Sequence, residues 1–266
     1  MQGARVSVVI PSRLQGPSID PSGSWFVERA LNCLREQTAL KQGALLQAIV
    51  AVDAGMGQTA QGRLQQRAII AESGTRSQAA ALNAGLSMAG GDYIAFLEDD
   101  DLWSPDFLAT ALAHLQQFDF VSSTQLDMSV EGDVQRISDF PTPSGWIMPR
   151  RTFERVGFFD ESFRWHLDSD WLGRLGDTGL RRAHLVEATA PLQQHWIEAS
   201  RPQLAELMEH SNGQVTLCRH ASPWPLIVRT VHPNSGMAQI QADPIKGAES
   251  QAECEALKKR FGHLPW

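Results

Sequence analysis

Residues 94–103 read I-A-F-L-E-D-D-D-L-W, an apolar run that stops at four consecutive carboxylates, Glu98, Asp99, Asp100 and Asp101. A short apolar run bounded by turn signals is read as a buried strand. Carboxylates at the carboxyl end of such a strand occupy the edge where open α/β sheets bind ligands. Neighbouring anions repel by about 1 kcal/mol per pair in water, and by about 4 at an effective dielectric near 20. A positive partner offsets that repulsion. A divalent cation with oxygen ligands is the natural one, and such a cation commonly carries a phosphate. The plainer alternative is a solvated acidic loop; the strand directly before the run favours a site.

Working outward, the chain alternates strands and helices. Arg5 to Ile10 is a β-branched run ending at Pro11, and Leu46 to Val52 is a second one ending at Asp53 and the turn A-G-M-G. Arg67 to Ala71 makes a shorter strand. Apolar residues at Phe26, Ala30, Leu31 and Leu34 give Trp25 to Gln37 one helical face, and Ser77 to Met88 reads as a helix stopped by Gly90 and Gly91. This alternation predicts an α/β fold with a mostly parallel central sheet flanked by helices. Beyond Trp103 come a helix from Pro105 to about Gln117 and strand-like pieces at 118–123 and 134–137. Helices near 151–156 and 170–176 come next, then helical stretches at 203–210 and 249–261. The Pro- and His-containing residues between those last two stretches carry no legible pattern.

Composition narrows the class. With 266 residues, 42% of them hydrophobic and 20% charged, the chain can bury a sizeable core. A net charge of −7 argues against a broad nucleic-acid surface. No apolar run reaches the length of a membrane span, and the first residues run straight into a strand without a signal-peptide core. Cys33, Cys218 and Cys254 are scattered without metal-ligand spacing and read as reduced thiols. A cytoplasmic protein is expected, peripheral at a membrane as the alternative.

The order of motifs resembles the family 2 glycosyltransferases of GT-A fold, over about Val6 to His195. The resemblance rests on V-S-V-V-I-P at 6–11, I-V-A-V-D-A-G at 49–55 and A-L-N-A-G-L-S-M-A-G-G-D-Y-I-A-F-L-E-D-D-D-L-W at 81–103. It continues with R-R-T-F-E-R-V-G-F-F-D-E at 150–161 and W-H-L-D-S-D-W-L-G-R-L at 165–175. The resemblance implies a Rossmann-like GT-A domain over 1–200, with a nucleotide-sugar half at 1–101 and an acceptor half at 102–200. Residues 201–266 are expected to form a C-terminal helical extension packed on the same domain, with a subdomain, an acceptor-shaping lid or an oligomer contact as the roles left open. It implies a metal-dependent transferase moving a sugar, hexosyltransferase-like, from a nucleotide-sugar donor, UDP by default, to an acceptor hydroxyl with inversion. The acceptor is a carbohydrate, a lipid-linked sugar or a small molecule. Homo-oligomers are allowed, and neither nucleic acid nor a transmembrane segment is expected.

Residue by residue, the resemblance puts Glu98, Asp99 and Asp100 on the family's D-x-D triplet. Asp100 becomes a ligand of Mn²⁺ or Mg²⁺, Glu98 faces the metal or the ribose, His195 is a late histidine near the ion, and Asp99 faces the nucleotide. Pro11, Ser12, Arg13, Asp53, Arg76 and Asn83 line the nucleotide pocket, and Asp168 is the catalytic base. The chain departs from the family pattern at Glu98, Ala54, Leu82 and Leu167, where Asp, Asp, Arg and Glu are usual. Plainer readings stand beside these roles. Asp53 also suits a turn, and Asp168 a helix cap. Asp170 competes with Asp168 for the base, and Asn83 suits a hydrogen bond to a neighbouring loop. His166 could steer an acceptor. Trp146, Trp165 and Trp171 could stack on a sugar, although Trp is usually core. Two rival functions remain, a non-catalytic nucleotide-sugar binder and a nucleotidyltransferase. The second would want a Gly-rich basic loop after the first strand, where this chain has P-S-R-L-Q-G-P-S.

Overall fold

The computed structural model describes residues 3–15, 25–188, 204–206 and 208–265. Its centre is β1 (Arg5–Ser12), every residue of which is buried from Val6 onward. A strand apolar on both faces must be covered on both, and β1 lies inside an eight-stranded sheet. It pairs in parallel with β2 (Leu45–Val52) on one side and β4 (Tyr93–Phe96) on the other, and β3 (Ile69–Glu72) extends β2 at the edge. Beyond β4 the sheet continues through β9 (Ile147–Pro149), antiparallel to both its neighbours, to β6 (Phe120–Ser123). From β6 it runs in parallel to β10 (Arg182–Val186) and β11 (Val215–Arg219). The fold is therefore mixed α/β with a mainly parallel sheet, as the alternation of periods implies.

Helices cover both faces. On one, α1 (Phe26–Arg35) and α5 (Phe107–His114) bury Leu31, Leu34, Phe107 and Leu108 against Val8, Ile10 and Val50. On the other, α4 (Gln78–Met88) and α7 (Leu167–Asp177) bury Leu82, Leu86, Trp171 and Leu175 against Val9, Ile49 and Phe96. Helix α4 starts where Ser77 Oγ accepts the Ala80 N–H at 3.1 Å. It then seats closely enough that a Cβ at Gly85 would meet Val9 Cγ1 at 2.5 Å, so only glycine allows this approach. Trp146 and Trp171 are fully buried in an aromatic cluster with Phe96, Phe120 and Phe159, which assigns both to the core rather than to a sugar platform.

A second sheet lies across the carboxyl edge of the first. Its order is β5 (Leu102–Trp103), β12 (Ile227–Val231), β7 (Gln125–Ser129) and β8 (Val134–Ser138). Strand β12 comes from the stretch with no legible pattern, so residues 201–266 contribute strands to both sheets as well as helices. Two helices come after it, α8 (Gly236–Ala242) and α9 (Pro244–Phe261). No helix among the described residues is long and apolar enough to cross a membrane.

Candidate active site

Parallel register sets the site. Ser12 stands opposite Val52, and Val9 opposite Phe96, so β1, β2 and β4 all end on one edge. The residues just beyond those ends are Arg13, Asp53 and the Glu98–Asp101 run. Four loosely tethered carboxylates would repel one another apart; here each member of the run is tied to the frame. Ser12 Oγ donates to Asp99 Oδ2 at 2.5 Å, and the exposed Arg13 places its charge near the same carboxylate. Gln78 Nε2, in the first turn of α4, donates to Glu98 Oε1 at 2.8 Å. Ser144 Oγ donates to Asp101 Oδ2 at 2.6 Å and accepts the Glu98 N–H at 2.9 Å.

The remaining ties come from β12 and the residue just after it. The Thr230 N–H donates to Asp101 Oδ1 at 3.0 Å, and the Thr230 hydroxyl donates to the Asp100 carbonyl. His232, 4% exposed, sets its Nε2 2.9 Å from Asp100 Oδ2. Its Nδ1 accepts the Asn234 N–H at 3.3 Å, which puts the imidazole proton on Nε2, facing Asp100. The Arg229 guanidinium, 20% exposed, lies 3.7 Å from Asp127 Oδ2. Burial works against its charge, yet Asp127, Asp101, Glu98 and Asp100 together hold its pKa above the ordinary value.

The carboxylates respond to crowding. Burial first, then the Asp100 charge, pushes Glu98 up to about 7 and Asp99 up to about 8. The same two causes raise the buried Asp101 well above the usual range. Asp168, in the first turn of α7, is raised by burial as well, against the opposing pull of the Ser169 N–H. Its charge is felt at Glu98, and Arg229 is felt at both, so α7 brings Asp168 within electrostatic reach of the acidic run. Burial is what these shifts have in common, and in the acidic run the charge of Asp100 adds to it.

Glu98, Asp100 and Asp101 each offer an oxygen within 4.8 Å of the others. Both oxygens of Asp101 are already hydrogen-bonded, so the open donors are on Glu98 and Asp100. An all-oxygen set of hard carboxylates fits Mg²⁺ or Mn²⁺ rather than a thiolate- or imidazole-seeking ion. His195 lies outside the described residues. The histidine that the structure places on the acidic run is His232.

Other expected residues sort by their partners. Asp53 is half-buried at the end of β2, and its carboxylate makes no hydrogen bond to a described residue. Pro11 is buried beside Ala51 in the register of β1 and β2. Arg76 is exposed, with no partner among the described residues. Asn83 is turned to the loop after α6 (Arg150–Val156): its Nδ2 donates to the Phe159 carbonyl and to Glu161, and its Oδ1 accepts the Phe159 N–H. With both amide hydrogens and one acceptor site of Oδ1 so used, Asn83 holds that loop. Asp170, the competitor of Asp168, is fully buried between Arg174 Nε at 2.9 Å and Arg260 Nη1 at 2.8 Å. That environment is a scaffold's. Sequence reading missed Gln78, Ser144, Arg229, Thr230 and His232. The one signal for the last three is the β-branched run I-V-R-T-V between prolines, a strand pattern five residues long.

Comparisons with known proteins agree with this geometry. The model of the family described as "Glycosyl transferase family 2" matches residues 24–169, more than half of the chain. Among solved structures, the Pyrobaculum calidifontis mannosyltransferase PcManGT in complex with GDP-Man and Mn²⁺ aligns with a TM-score of 0.52 at 21% identity. That alignment covers 68% of this chain and 54% of the mannosyltransferase, so the chain spans about half its length. S. aureus TarS 1–349 in complex with UDP-GlcNAc aligns with a TM-score of 0.55 at 12% identity, over 96% of this chain and 71% of that one. No curated protein matched the sequence directly. At these identities the structural likeness speaks for the GT-A fold, and the family match for the lineage: the chain belongs to glycosyl transferase family 2.

Proposed function

We propose that the protein moves a sugar from a nucleoside-diphosphate donor to an acceptor hydroxyl, with a divalent cation bound at Glu98 and Asp100 and with inversion at the sugar carbon. The observation that carries this reading is the pairing of two features within electrostatic reach of each other. One is a cluster of buried, mutually repelling carboxylates with oxygens close enough to share a cation; the other is a separate carboxylate, Asp168, raised by burial. Bound there, Mn²⁺ or Mg²⁺ supplies charge stabilisation for the departing diphosphate.

The chain's own residues do the rest. Arg229 is a fixed cation whose guanidinium makes no hydrogen bond to a described residue, so its donors are available to phosphate oxygens. Asp101 does not meet the donor; it fixes β12 to the acidic run through Thr230 and Ser144. His232 orients Asp100. Asp53 reads the base and Asp99, with Ser12, borders the ribose. Asp168 takes the proton from the acceptor hydroxyl. A raised pKa suits that task, because a base works best when its pKa approaches the working pH. Attack from the Asp168 side, opposite the departing diphosphate, inverts the sugar carbon. UDP is the first candidate nucleotide; the GDP-Man and UDP-GlcNAc complexes of the two structural neighbours make GDP the necessary second arm. A cytoplasmic location belongs to the same reading, in keeping with three cysteines that are all free.

Titration calorimetry with UDP and with GDP, each with and without Mn²⁺, tests the proposal. Nucleotide should bind more tightly with the metal, and Asp100→Ala should erase the difference. Affinity indifferent to both would sink the metal assignment. Donor binding without transfer over a broad acceptor panel would turn the reading to a nucleotide-sugar binder.

A further inference from the structure

The loop that delivers Asp168 is gripped by the C-terminal helix. Glu253, in the middle of α9, accepts three successive backbone N–H groups with one carboxylate: Arg164 N at 2.8 Å, Trp165 N at 2.8 Å and His166 N at 2.9 Å. Successive amides rarely converge on one point. They do so only when the backbone curls around an anion, forming a nest that a carboxylate fills. Here the anion comes from a helix 87 to 89 residues further along the chain.

The proposed base lies just beyond the nest. His166 is the residue before α7, its side chain caps nothing, and Asp168 is the second residue of the helix. The backbone of residues 164–166 leads directly into the first turn of α7, which carries Asp168. The rest of α9 holds α7 at points that do not touch that backbone. Ser250 Oγ lies 2.9 Å from His166 Nε2, Arg260 pairs with Asp170, and a Cβ at Gly173 would meet the Phe261 ring at 2.5 Å. The helix thus has two separable tasks: docking through Arg260 and Phe261, and shaping the loop through Glu253.

We propose that Glu253 is a positioning residue that sets the orientation of Asp168 by fixing the backbone of Arg164–His166. It rests on Asp168 being the base, as proposed above.

The test compares the full-length protein with Glu253→Gln and with Glu255→Gln. Glu255 lies two residues away, exposed, bonded only to Gln251 and Lys258 on its own helix among the described residues. Three readouts are needed. The first is amide hydrogen exchange over residues 164–168. The second is affinity for UDP and for GDP with Mn²⁺. The third is release of nucleoside diphosphate from UDP-GlcNAc and from GDP-Man with water as acceptor. Glu253→Gln keeps one acceptor oxygen but turns an NH₂ towards the converging amides. Exchange at 164–168 should rise at least about tenfold. The rate of release at saturating donor should fall by about 10- to 100-fold, while donor KM and nucleotide affinity stay at wild-type values. Glu255→Gln should match the wild type throughout. Unchanged exchange, or equal losses in nucleotide affinity and in rate, would overturn the proposal, because a merely structural helix contact weakens everything together. If the wild type releases nucleotide from neither donor, the donor reading falls. Faster exchange confined to 164–168 at an unchanged melting temperature still carries the positioning role.

Discussion

Exchanging Asp168 and Asp170 for asparagine, one at a time, separates chemistry from scaffold within a single turn of helix. Asp170 is fully buried and receives Arg174 and Arg260 at 2.9 and 2.8 Å. A hydrogen bond to a charged group contributes about 1.5–3 kcal/mol. The Arg174 side chain is 20% exposed and can be credited with most of that; Arg260 is 48% exposed, so solvent screening leaves it little. Asp170→Asn should therefore cost about 3 kcal/mol. For a chain of this size that lowers the melting temperature by roughly 6–12 °C. Asp168 is the opposite case. Its one hydrogen bond from another described residue is the Ser169 N–H at 2.8 Å on Oδ1, which an asparagine oxygen also accepts. Its charge is disfavoured by burial. Asp168→Asn should melt at the wild-type temperature or above it and lose about 10²- to 10⁴-fold in transfer rate, the usual range for a general base. Scanning calorimetry and nucleoside-diphosphate release give both numbers. The reasoning is refuted if Asp170→Asn abolishes turnover while melting normally, or if Asp168→Asn melts early and still turns over.

Four further outcomes are expected. Asp53→Ala should weaken nucleotide binding by about 1.5–3 kcal/mol, the value of a hydrogen bond to a charge, with no change in melting; calorimetry against UDP and GDP reads it. Asn83→Ala should do the reverse, lowering the melting temperature through the freed 159–161 loop while affinity holds. His232→Ala should reduce Mn²⁺ affinity by about 10- to 100-fold, the usual effect of losing the partner of a ligand, measured by competition with a metal indicator. The last concerns pH. Glu98 and Asp99 have folded pKa values, about 7 and about 8, above their ordinary 4.5 and 3.8. Between those limits the folded protein holds more protons than the unfolded chain, so stability falls as pH rises. The metal-free protein should melt lower at pH 8 than at pH 5, and saturating Mn²⁺ should cancel the difference; a flat or rising profile without metal would contradict the crowding of these carboxylates.

The parts of the fold legible in sequence are those whose physics is local. Val6 to Ile10 and Ile49 to Val52 announce buried strands by composition alone, and Ser77 announces α4 by its capping chemistry. The acidic run is legible because it interrupts an apolar strand. Residues whose roles come from distant pairing are not legible. Arg229, Thr230 and His232 sit in a five-residue strand and the position after it, and nothing near them in sequence indicates that β5 and β7 will flank them. Asn83 and Asp170 show the complementary difficulty. Each has the residue type a site wants, and only the position of Phe159 or Arg260 assigns it to the frame.

The bonds between β12 and the acidic run join residues 129 to 132 positions apart. Contacts of that span close late in folding, because the entropy of a long loop must be overcome before they stabilise anything. Span therefore sets an order of events on the ribosome. With residues up to about 190 emerged, the nascent chain can already pair β1, β2 and β4 and bring Glu98 and Asp100 to their common edge. It still lacks Arg229, His232 and the Glu253 clamp. During translation the edge that gathers Glu98 and Asp100 thus precedes the residues that tie down Asp100 and the 164–166 backbone.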